Sequence, residues 1–407
     1  MAIEVVGGVY RERCLRPSWD QVYGSAGRAA EAIATMGTPV VLHSFLTDDA
    51  REAFEDRGAL LGTLSVKGPR TDELVRFVYM HDLAVPRIYD APKQGRGVLE
   101  VSAEKAVRFG MLDGDAKVHA KWAVYDPQNI REGRPFAENG STAERLALVM
   151  NSFEAAHMAG MHGAHPSRSA PALAAEQNAE VVVVKMGAQG AYVWTASEQR
   201  QVPAYRTKRV WKIGSGDCFV GHFANAWMEG GLRPWEAADI ASRATAYYCE
   251  TQGFPTAEHL ANHGTKPVSV SEAYRSGEPR QVYLAGPFFD LMQQWLVEQA
   301  VINLEDMGLK VFSPLHDVGL KGDRSTIAQK DLQALRDSQV MFAIADGVDP
   351  GTVFEVGYAR ALNKPVVVYS ERHQGQESLT MLEGSGCVMC TNYATAIYST
   401  LWEAAAL

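Results

Sequence analysis

The sequence has no long apolar run and no sign of a segment that would direct it to a membrane. Hydrophobic residues make up 46% of its 407 residues, but they occur in short runs. None of these runs approaches the ~18 residues that a membrane span requires. The start of the chain, "MAIEVVGGVY", enters a strand-like pattern directly and does not resemble a signal peptide. We therefore predict a cytoplasmic protein that does not bind membranes.

Cysteine and net positive charge are also scarce. The five cysteines are an odd number and, apart from Cys387 and Cys390, they are scattered, so a disulfide framework is not expected. The Cys387–Cys390 pair has no second pair or histidine near it, so no metal site is predicted there. A net charge of −9 argues against binding to nucleic acid but permits a local phosphate pocket.

Strand-like apolar runs alternate with helix-like segments through most of the chain. This alternation is typical of α/β domains with mainly parallel sheets. The length exceeds that of one ordinary hydrophobic core, which favours at least two domains. Between 263 and 280 the alternation stops, and the segment is polar and contains two prolines. We predict two doubly wound domains at 1–262 and 281–407, joined by a linker at 263–280.

The second domain is predicted as a small sheet whose functional residues share one edge. Strands are expected at 281–285, 309–313, 339–345 and 365–369, with helices near 290–307, 328–337 and 353–363 and at the C-terminus. Ligands of such sheets bind beyond the carboxyl ends of the strands. The residues that follow these ends are Gly286, Pro287, Phe288, His316, Asp346 and Asp349, and Glu355 opens the next helix. All are predicted to lie on one edge of the sheet, and most of the polar ones to share one crevice.

Glu355 is the carboxylate on which the functional interpretation depends. It stands among apolar residues in "DPGTVFEVGYARA". One interpretation is structural, because Thr352 and Glu355 have the spacing of a capping box at a helix start. The other is that Glu355 is a nucleophile at the mouth of the sheet. The motif alone leaves both interpretations open.

Four blocks of the C-terminal domain resemble the nucleoside 2-deoxyribosyltransferase family. They are "YLAGPFF" from Tyr283, "GLKVFSPLHDVG" from Gly308, "KDLQALRDSQ" from Lys330 and "DPGTVFEVGYARALNKPV" from Asp349. They keep their order and spacing over nearly all of 281–370. The resemblance implies a flavodoxin- or Rossmann-like fold and a double displacement at a sugar C1′, without a cofactor, in an oligomer of identical subunits.

The resemblance also implies roles for single residues. Glu355 would attack C1′, while Asp331 or Asp349 would protonate or hold the departing base. Tyr283 would steer the nucleophile, and Phe288 would flank the sugar or base. The structural alternatives are a helix cap for Asp331, a turn for Asp346, a buried strand aromatic for Tyr283 and a hydrogen-bonded loop residue for His316.

The N-terminal domain has a glycine-rich turn, Gly214–Ser215–Gly216, directly before Asp217 and a helix-like segment. Glycine amides and a helix N-terminus suit a phosphate, and an acid there is able to take a proton from a sugar hydroxyl. A tight turn with an acid that complements the helix dipole is the structural alternative.

Blocks around this turn resemble the ribokinase-like (pfkB) carbohydrate kinases over roughly residues 3–255. They are "YGSAGRAAEAIATMG" from Tyr23, "VYDPQN" from Val124, "NSFEA" from Asn151 and "VVVVKMGAQGAYVW" from Val181. The resemblance implies a ribokinase-like fold, with Asp217 as catalytic base and ATP and Mg²⁺ as cofactors if the domain is active. It places phosphate or nucleotide at Gly214, Ser215, Gly216, Asn151, Glu154 and Gly187.

The N-terminal domain also departs from that family. Trp211 and Lys212 stand where the family has Asp-Thr, and Ala29 stands where it has a sugar-binding asparagine. Binding of a substrate hydroxyl is therefore open, whereas binding of a nucleotide or phosphate is compatible with these changes. Three nearby histidines, His157, His162 and His165, are interpreted as loop residues, because intervening glycines weaken any fixed metal geometry.

These patterns predict an enzyme that acts on nucleosides or nucleotides. The C-terminal domain would break or exchange an N-glycosidic bond, and the N-terminal domain would phosphorylate or bind a sugar, nucleoside or nucleotide. The alternative is a nucleotide N-hydrolase, in salvage or in defence by depletion, whose N-terminal domain senses a nucleotide without turnover.

Overall fold

The computed structural model describes residues 1–128, 133–319, 322–372 and 379–407. The chain forms two compact units, unit 1 with Met1–Thr207 and Trp211–Pro267 and unit 2 with Lys208–Val210 and Val268–Leu407. Both have mainly parallel sheets between helices, which confirms the predicted fold class. The segment 263–280 is divided between the units and contains a short strand and a one-turn helix. Asn129, in the "VYDPQN" block, lies outside the described residues.

Unit 1 is built on a large sheet with the order β13-β12-β11-β10-β9-β8-β1-β4-β5, and a smaller sheet has the order β3-β2-β6-β7. In the large sheet the β11–β12 and β12–β13 pairs are antiparallel, and the other pairs are parallel. The strands are β1 (Ile3–Val6), β2 (Arg11–Arg16), β3 (Trp19–Val22), β4 (Val40–His43), β5 (Leu64–Lys67), β6 (Arg76–His81), β7 (Arg87–Tyr89), β8 (Val98–Phe109), β9 (Asp115–Asp126), β10 (Thr142–Asn151), β11 (Val181–Lys185), β12 (Ala191–Thr195), β13 (Gln199–Val202), β14 (Tyr205–Arg206) and β15 (Lys266–Pro267).

Helices cover both faces of the large sheet of unit 1. They are α1 (Gly24–Thr35), α2 (Asp48–Leu61), α3 (Ser152–Met158), α4 (Pro166–Gln177), α5 (Ser215–Ala224), α6 (Pro234–Thr251) and α7 (Ala257–Asn262). Successive strand residues point to opposite faces. Val5 therefore packs in the core under α1, α2, α5 and α6, whereas Val6 packs in the core under α3 and α4. The start of α5, with the glycine-rich turn, lies near the carboxyl ends of β9 and β11, where Gln128 donates a hydrogen bond to Asp217 and Gly216 approaches Lys185.

Unit 2 is a parallel sheet with the order β17-β16-β18-β19-β20. The elements are β16 (Gln281–Ala285), β17 (Lys310–Phe312), β18 (Val340–Ile344), β19 (Val366–Tyr369), β20 (Val388–Cys390), α8 (Glu272–Arg275), α9 (Leu291–Asp306), α10 (Arg324–Asp337), α11 (Pro350–Ala361), α12 (Thr380–Gly384) and α13 (Tyr393–Ala406). In chain order the strands run 2-1-3-4-5, as in flavodoxin-like folds, so the winding reverses between β16 and β18. The doubly wound sheet predicted from the sequence is confirmed.

Acidic or amide side chains start the main helices of unit 2. The N-caps are Asp290 for α9, Asp323 for α10, Asp349 for α11 and Asn392 for α13, and each accepts a hydrogen bond from a backbone N–H in the first turn. Such caps satisfy amides that have no partner within the helix. They fix where each helix begins and therefore which of its side chains face the carboxyl edge of the sheet.

Candidate active site

In unit 2 the structure brings Tyr283 and Glu355 together at the point where the winding reverses. Tyr283 lies on β16 and is fully buried, and its hydroxyl donates to Glu355 Oε1 at 2.6 Å. The Tyr283 ring stacks on Phe312 of the adjacent strand, with 5.7 Å between ring centroids. This packing fixes the phenol, so its hydroxyl holds one carboxylate oxygen in a defined place. The buried-aromatic alternative for Tyr283 and the steering role are thus compatible.

The capping-box interpretation of Glu355 is wrong. Helix α11 begins at Pro350 with Asp349 as its cap, three residues earlier than the sequence predicts. Asp349 Oδ2 accepts hydrogen bonds from the Thr352 backbone N–H at 2.8 Å and from the Thr352 hydroxyl at 3.0 Å. Glu355 therefore lies in the second turn, where no backbone amide needs a cap.

Its surroundings favour the protonated form of Glu355. Burial raises the pKa of Glu355 to about 7, against the Tyr283 hydrogen bond, which lowers it, and the charges of Asp331 and Asp349 raise it further. The negative charges of Asp331 and Asp349 thus act on Glu355 electrostatically. With this pKa, part of Glu355 is ionised near neutral pH and able to act as a nucleophile. Its negative charge is less stabilised than that of a carboxylate in water.

Asp331 and Asp349 differ in what they are free to do. Asp331 lies in the middle of α10, whose cap is Asp323, so the capping alternative for Asp331 is wrong. Burial raises the pKa of Asp331, and its buried Oδ1 has no hydrogen-bond partner among the described residues. Asp349 is engaged as the cap of α11. Asp331 is therefore the better placed of the two to carry a proton.

The other residues predicted at this edge differ in burial and in hydrogen bonding. Gly286 follows β16, and a Cβ there would come within 3.0 Å of Ile344 Cβ on β18. Pro287 is buried and Phe288 is partly buried. His316 Nε2 lies 2.8 Å from Glu298 Oε2, and His316 Nδ1 lies 3.0 Å from Ser313 Oγ. These partners fit the loop alternative for His316.

Asp346 has the turn role that the sequence analysis offered as its alternative. Its carboxylate accepts hydrogen bonds from the Ser370 hydroxyl and from the backbone N–H groups of Glu371 and Arg372. These bonds join the ends of β18 and β19. Asp346 therefore fixes the segment that follows β19.

In unit 1 the glycine-rich turn leads into α5 as predicted. Gly214 is the N-cap of α5 with a φ of 76°, and Lys212 Nζ donates to Ser215 Oγ at 2.8 Å. Asp217 is buried, and it accepts from Arg28 Nη1 at 2.8 Å and from Gln128 Nε2 at 2.7 Å. The structure thus places an acid beside the turn, but both of its oxygens are already hydrogen-bonded.

Asn151 and Glu154 form a reciprocal capping box at the start of α3. Asn151 Oδ1 accepts from the Glu154 backbone N–H, and Glu154 Oε2 accepts from the Asn151 backbone N–H, both at 2.8 Å. The pattern predicted to serve phosphate or magnesium therefore has a structural function here. Gly187, also predicted to lie near phosphate, opens a short 3₁₀ turn after β11.

Sequence reasoning missed the charged groups that surround Asp217. Arg28 on α1 is fully buried and also donates to Glu12 Oε2 at 2.5 Å. Lys185 Nζ lies 3.1 Å from Asp126 Oδ2, and burial raises the pKa of Asp126 to about 7. The available signal was one arginine among small residues in "GSAGRAAEAIAT", because a buried arginine needs a carboxylate partner.

The described residues contain no group of three or more histidine, cysteine, aspartate or glutamate side chains arranged to hold a metal ion. In the histidine-rich segment His157 stacks on the exposed Phe153, and its ring centroid lies 5.3 Å from that of His162.

Across the part of the chain that the structure describes, no helix is both long enough and apolar enough to cross a bilayer.

Replacing Gly214 with alanine is expected to destabilise unit 1. A Cβ at Gly214 would lie 2.0 Å from Arg28 Nε, and the positive φ is unfavourable for alanine. Gly231→Ala is the matched control, because Gly231 has a φ of 61° but no atom within 4 Å of its Cβ position. Thermal unfolding should show a melting temperature for Gly214→Ala several degrees below that of Gly231→Ala. Equal values would contradict the close approach of Arg28.

Both units match family models. Residues 282–388 match the model of nucleoside 2-deoxyribosyltransferase, and residues 145–258 match that of the pfkB family carbohydrate kinases. The chain therefore combines a segment similar to pfkB carbohydrate kinases with a segment similar to nucleoside 2-deoxyribosyltransferases, which confirms both resemblances predicted from the motifs. The comparison with curated proteins gave no match.

The solved structures similar to this chain include kinases, each aligned over 64% of this chain. They are a ribokinase from Thermotoga maritima (17% identity, 98% of that chain, TM-score 0.46), a nucleoside kinase from Burkholderia thailandensis in complex with inosine (17%, 95%, 0.47) and a fructokinase from Vibrio cholerae with fructose, ADP and calcium ion (14%, 98%, 0.47). These values are too low for the likeness to indicate a substrate.

Proposed function

We propose that unit 2 cleaves or exchanges the N-glycosidic bond of a nucleoside or nucleotide through a glycosyl ester on Glu355. The observation that carries the proposal is the Tyr283–Glu355 hydrogen bond of 2.6 Å at the edge where the sheet winding reverses. Ligands of such sheets bind at that edge. The match of residues 282–388 to the nucleoside 2-deoxyribosyltransferase model supports the same chemistry.

The reaction has two steps: the first converts the Glu355 carboxylate into a glycosyl ester, and the second regenerates the carboxylate. Tyr283 holds Oε1, so we assign the attack on C1′ to Oε2 of the ionised Glu355. The new C1′–O bond replaces the C1′–N bond, and the departing base nitrogen takes the proton of Asp331. In the second step another base or water attacks C1′, Glu355 leaves as a carboxylate, and Asp331 recovers a proton from the attacking group. No cofactor takes part.

Two outcomes of the second step define the two candidate activities. A transferase passes the sugar to a second base, and a hydrolase passes it to water. Incubation of one nucleoside with a different free base, followed by chromatography, should show the exchanged nucleoside forming faster than free sugar. If free sugar dominates at saturating base, and more so with 5′-phosphorylated substrates, unit 2 is the nucleotide N-hydrolase.

For unit 1 we propose binding of a small sugar, nucleoside or nucleotide. The match of residues 145–258 to the pfkB model supports this, and a shared substrate class would explain the presence of both units in one chain. We further propose that the protein acts in the cytoplasm as a homo-oligomer, does not bind nucleic acid, and has its domain limits near 262 and 281.

The residues of unit 1 do not fit phosphoryl transfer with ATP and Mg²⁺. That reaction needs a free base for the acceptor hydroxyl and a carboxylate directed at the metal. Asp217 is already bonded to Arg28 and Gln128, and the carboxylate of Glu154 caps α3. No step through ATP is therefore assigned to this structure.

A further inference from the structure

Asp217 belongs to a buried ion triad with Arg28 and Glu12. Arg28 contacts both Asp217 and Glu12, and the exposed fractions of the three residues are 0% for Arg28, 6% for Glu12 and 6% for Asp217. Removing one member from such a set leaves a buried charge without its partner, which is strongly unfavourable. The triad is thus a fixed part of the core.

The space around the triad is filled by side chains. Arg28 lies directly against Gly214, whose missing side chain gives the guanidinium its room. A buried cluster continues from there, with Trp211, Ile213, Cys218 and Tyr248 at its centre and Trp19, Tyr79 and Phe254 packed against them. The rings of Trp19 and Trp211 lie 5.2 Å apart. A neutral sugar hydroxyl has no place beside Asp217 unless this packing opens.

A general base must also be able to accept a proton. The Asp217 oxygens accept from Arg28 Nη1 and Gln128 Nε2, so each oxygen already has a hydrogen-bond donor where an acceptor hydroxyl would have to bind. The departures at Trp211 and Lys212 lie in the same region, and Trp211 is fully buried in the cluster described above. The geometry therefore opposes catalysis by Asp217.

We infer that Arg28 converts Asp217 from a catalytic base into a structural anion, so that unit 1 binds its ligand without transferring a phosphoryl group. The inference rests on the proposed ligand binding by unit 1 and does not depend on the chemistry of unit 2. It makes unit 1 a sensor for a small phosphorylated ligand, since the partly exposed Gly214 and Gly216 at the start of α5 remain compatible with a phosphate.

A double-mutant cycle on the full chain tests the triad without knowledge of the ligand. We expect Arg28→Met to lower the melting temperature of unit 1 by about 5 °C or more, because two carboxylates then lie buried without a cation. Asp217→Asn in the Arg28→Met background should recover part of this loss. Asp20→Asn is the matched control, because Asp20 pairs with Arg11 on the surface and should change little. Additive shifts at positions 28 and 217 would overturn the ion pair and the inference.

A phosphotransfer assay supplies the second arm. Wild-type protein with radiolabelled ATP, Mg²⁺ and a panel of sugars, nucleosides and nucleoside monophosphates should give no product that depends on Asp217. Steady phosphorylation that Asp217→Asn abolishes would overturn the inference. Titration of the protein with ADP and Mg²⁺, measured by calorimetry, tests the proposed ligand binding separately. Glycosidic turnover in the same samples reports on unit 2, so failure of either proposal is recognised independently.

Discussion

Replacing Glu355 with glutamine or alanine is expected to lower glycosidic turnover by at least about 10³-fold, because neither side chain forms the covalent ester. The loss should appear equally with water and with a free base as acceptor, since both pathways share the first step. The measurement is release or exchange of the base, followed by chromatography over a panel of nucleosides and nucleotides. Mass spectrometry of wild-type protein quenched during turnover should show the glycosyl adduct, and the variants should lack it.

The fold of these variants is checked by thermal unfolding, and the sign of the change is itself informative. The pKa of Glu355 is raised to about 7 in the folded protein, above the usual value of 4.5, so ionisation of this side chain destabilises unit 2 as pH rises from about 4.5 through 7. Glu355→Gln should therefore be at least as stable as the wild type above pH 7. Glu305→Gln, on the exposed surface of α9, is the matched control. Unchanged turnover in Glu355→Gln would remove the proposed mechanism.

Replacing Tyr283 with phenylalanine is expected to move the acid limb of the pH–rate profile to higher pH. The nucleophile must be ionised, so wild-type kcat/KM should fall tenfold per pH unit below about 7, the pKa of Glu355. Tyr283 donates to Glu355 and lowers that pKa. A hydrogen bond to a charged group contributes roughly 1.5–3 kcal/mol, so its loss should shift the limb by about one to two units.

At pH 7, where about half of the wild-type Glu355 is ionised, this shift corresponds to a fall in kcat/KM of about 5-fold to 50-fold, which higher pH should largely restore. Tyr358→Phe is the matched control. Tyr358 lies on α11, as Glu355 does, but its hydroxyl accepts a hydrogen bond from Arg336 at 2.9 Å. An acid limb that is unmoved in Tyr283→Phe would contradict the role of Tyr283 as the residue that positions and tunes Glu355.

Local sequence patterns were most informative where local physics decides the structure. The strand at 281–285 is found as predicted, because β16 is an apolar run between a polar segment and a glycine. The start of α11 was placed too late, because Thr352 and Glu355 imitate a capping box while Asp349 is the cap. Asp349 and Thr352 are both possible N-caps, three residues apart, and only the backbone hydrogen bonds distinguish them.

The candidate sites show a different limit. Polar residues that follow parallel strands must meet at one edge, so the neighbourhood of Tyr283, Asp349 and Glu355 was predictable from element order. Whether the oxygens of each carboxylate are hydrogen-bonded was not predictable, because this depends on partners distant in sequence. Asp331 has an oxygen without a partner among the described residues, whereas Asp346 is occupied by the segment after β19. Their sequence contexts do not reveal this difference.

By itself, the sequence determined two α/β units, their family resemblances and the acids at their strand ends. These features follow from hydrophobic periodicity, glycine turns and motif spacing, all of which are local properties of the chain. Only the tertiary structure decided what those acids do. Arg28 and Asp217 are 189 residues apart in the chain, yet they form a buried ion pair of 2.8 Å. Burial and partner choice fix the charge and basicity of a carboxylate, and neither exists before the chain has folded.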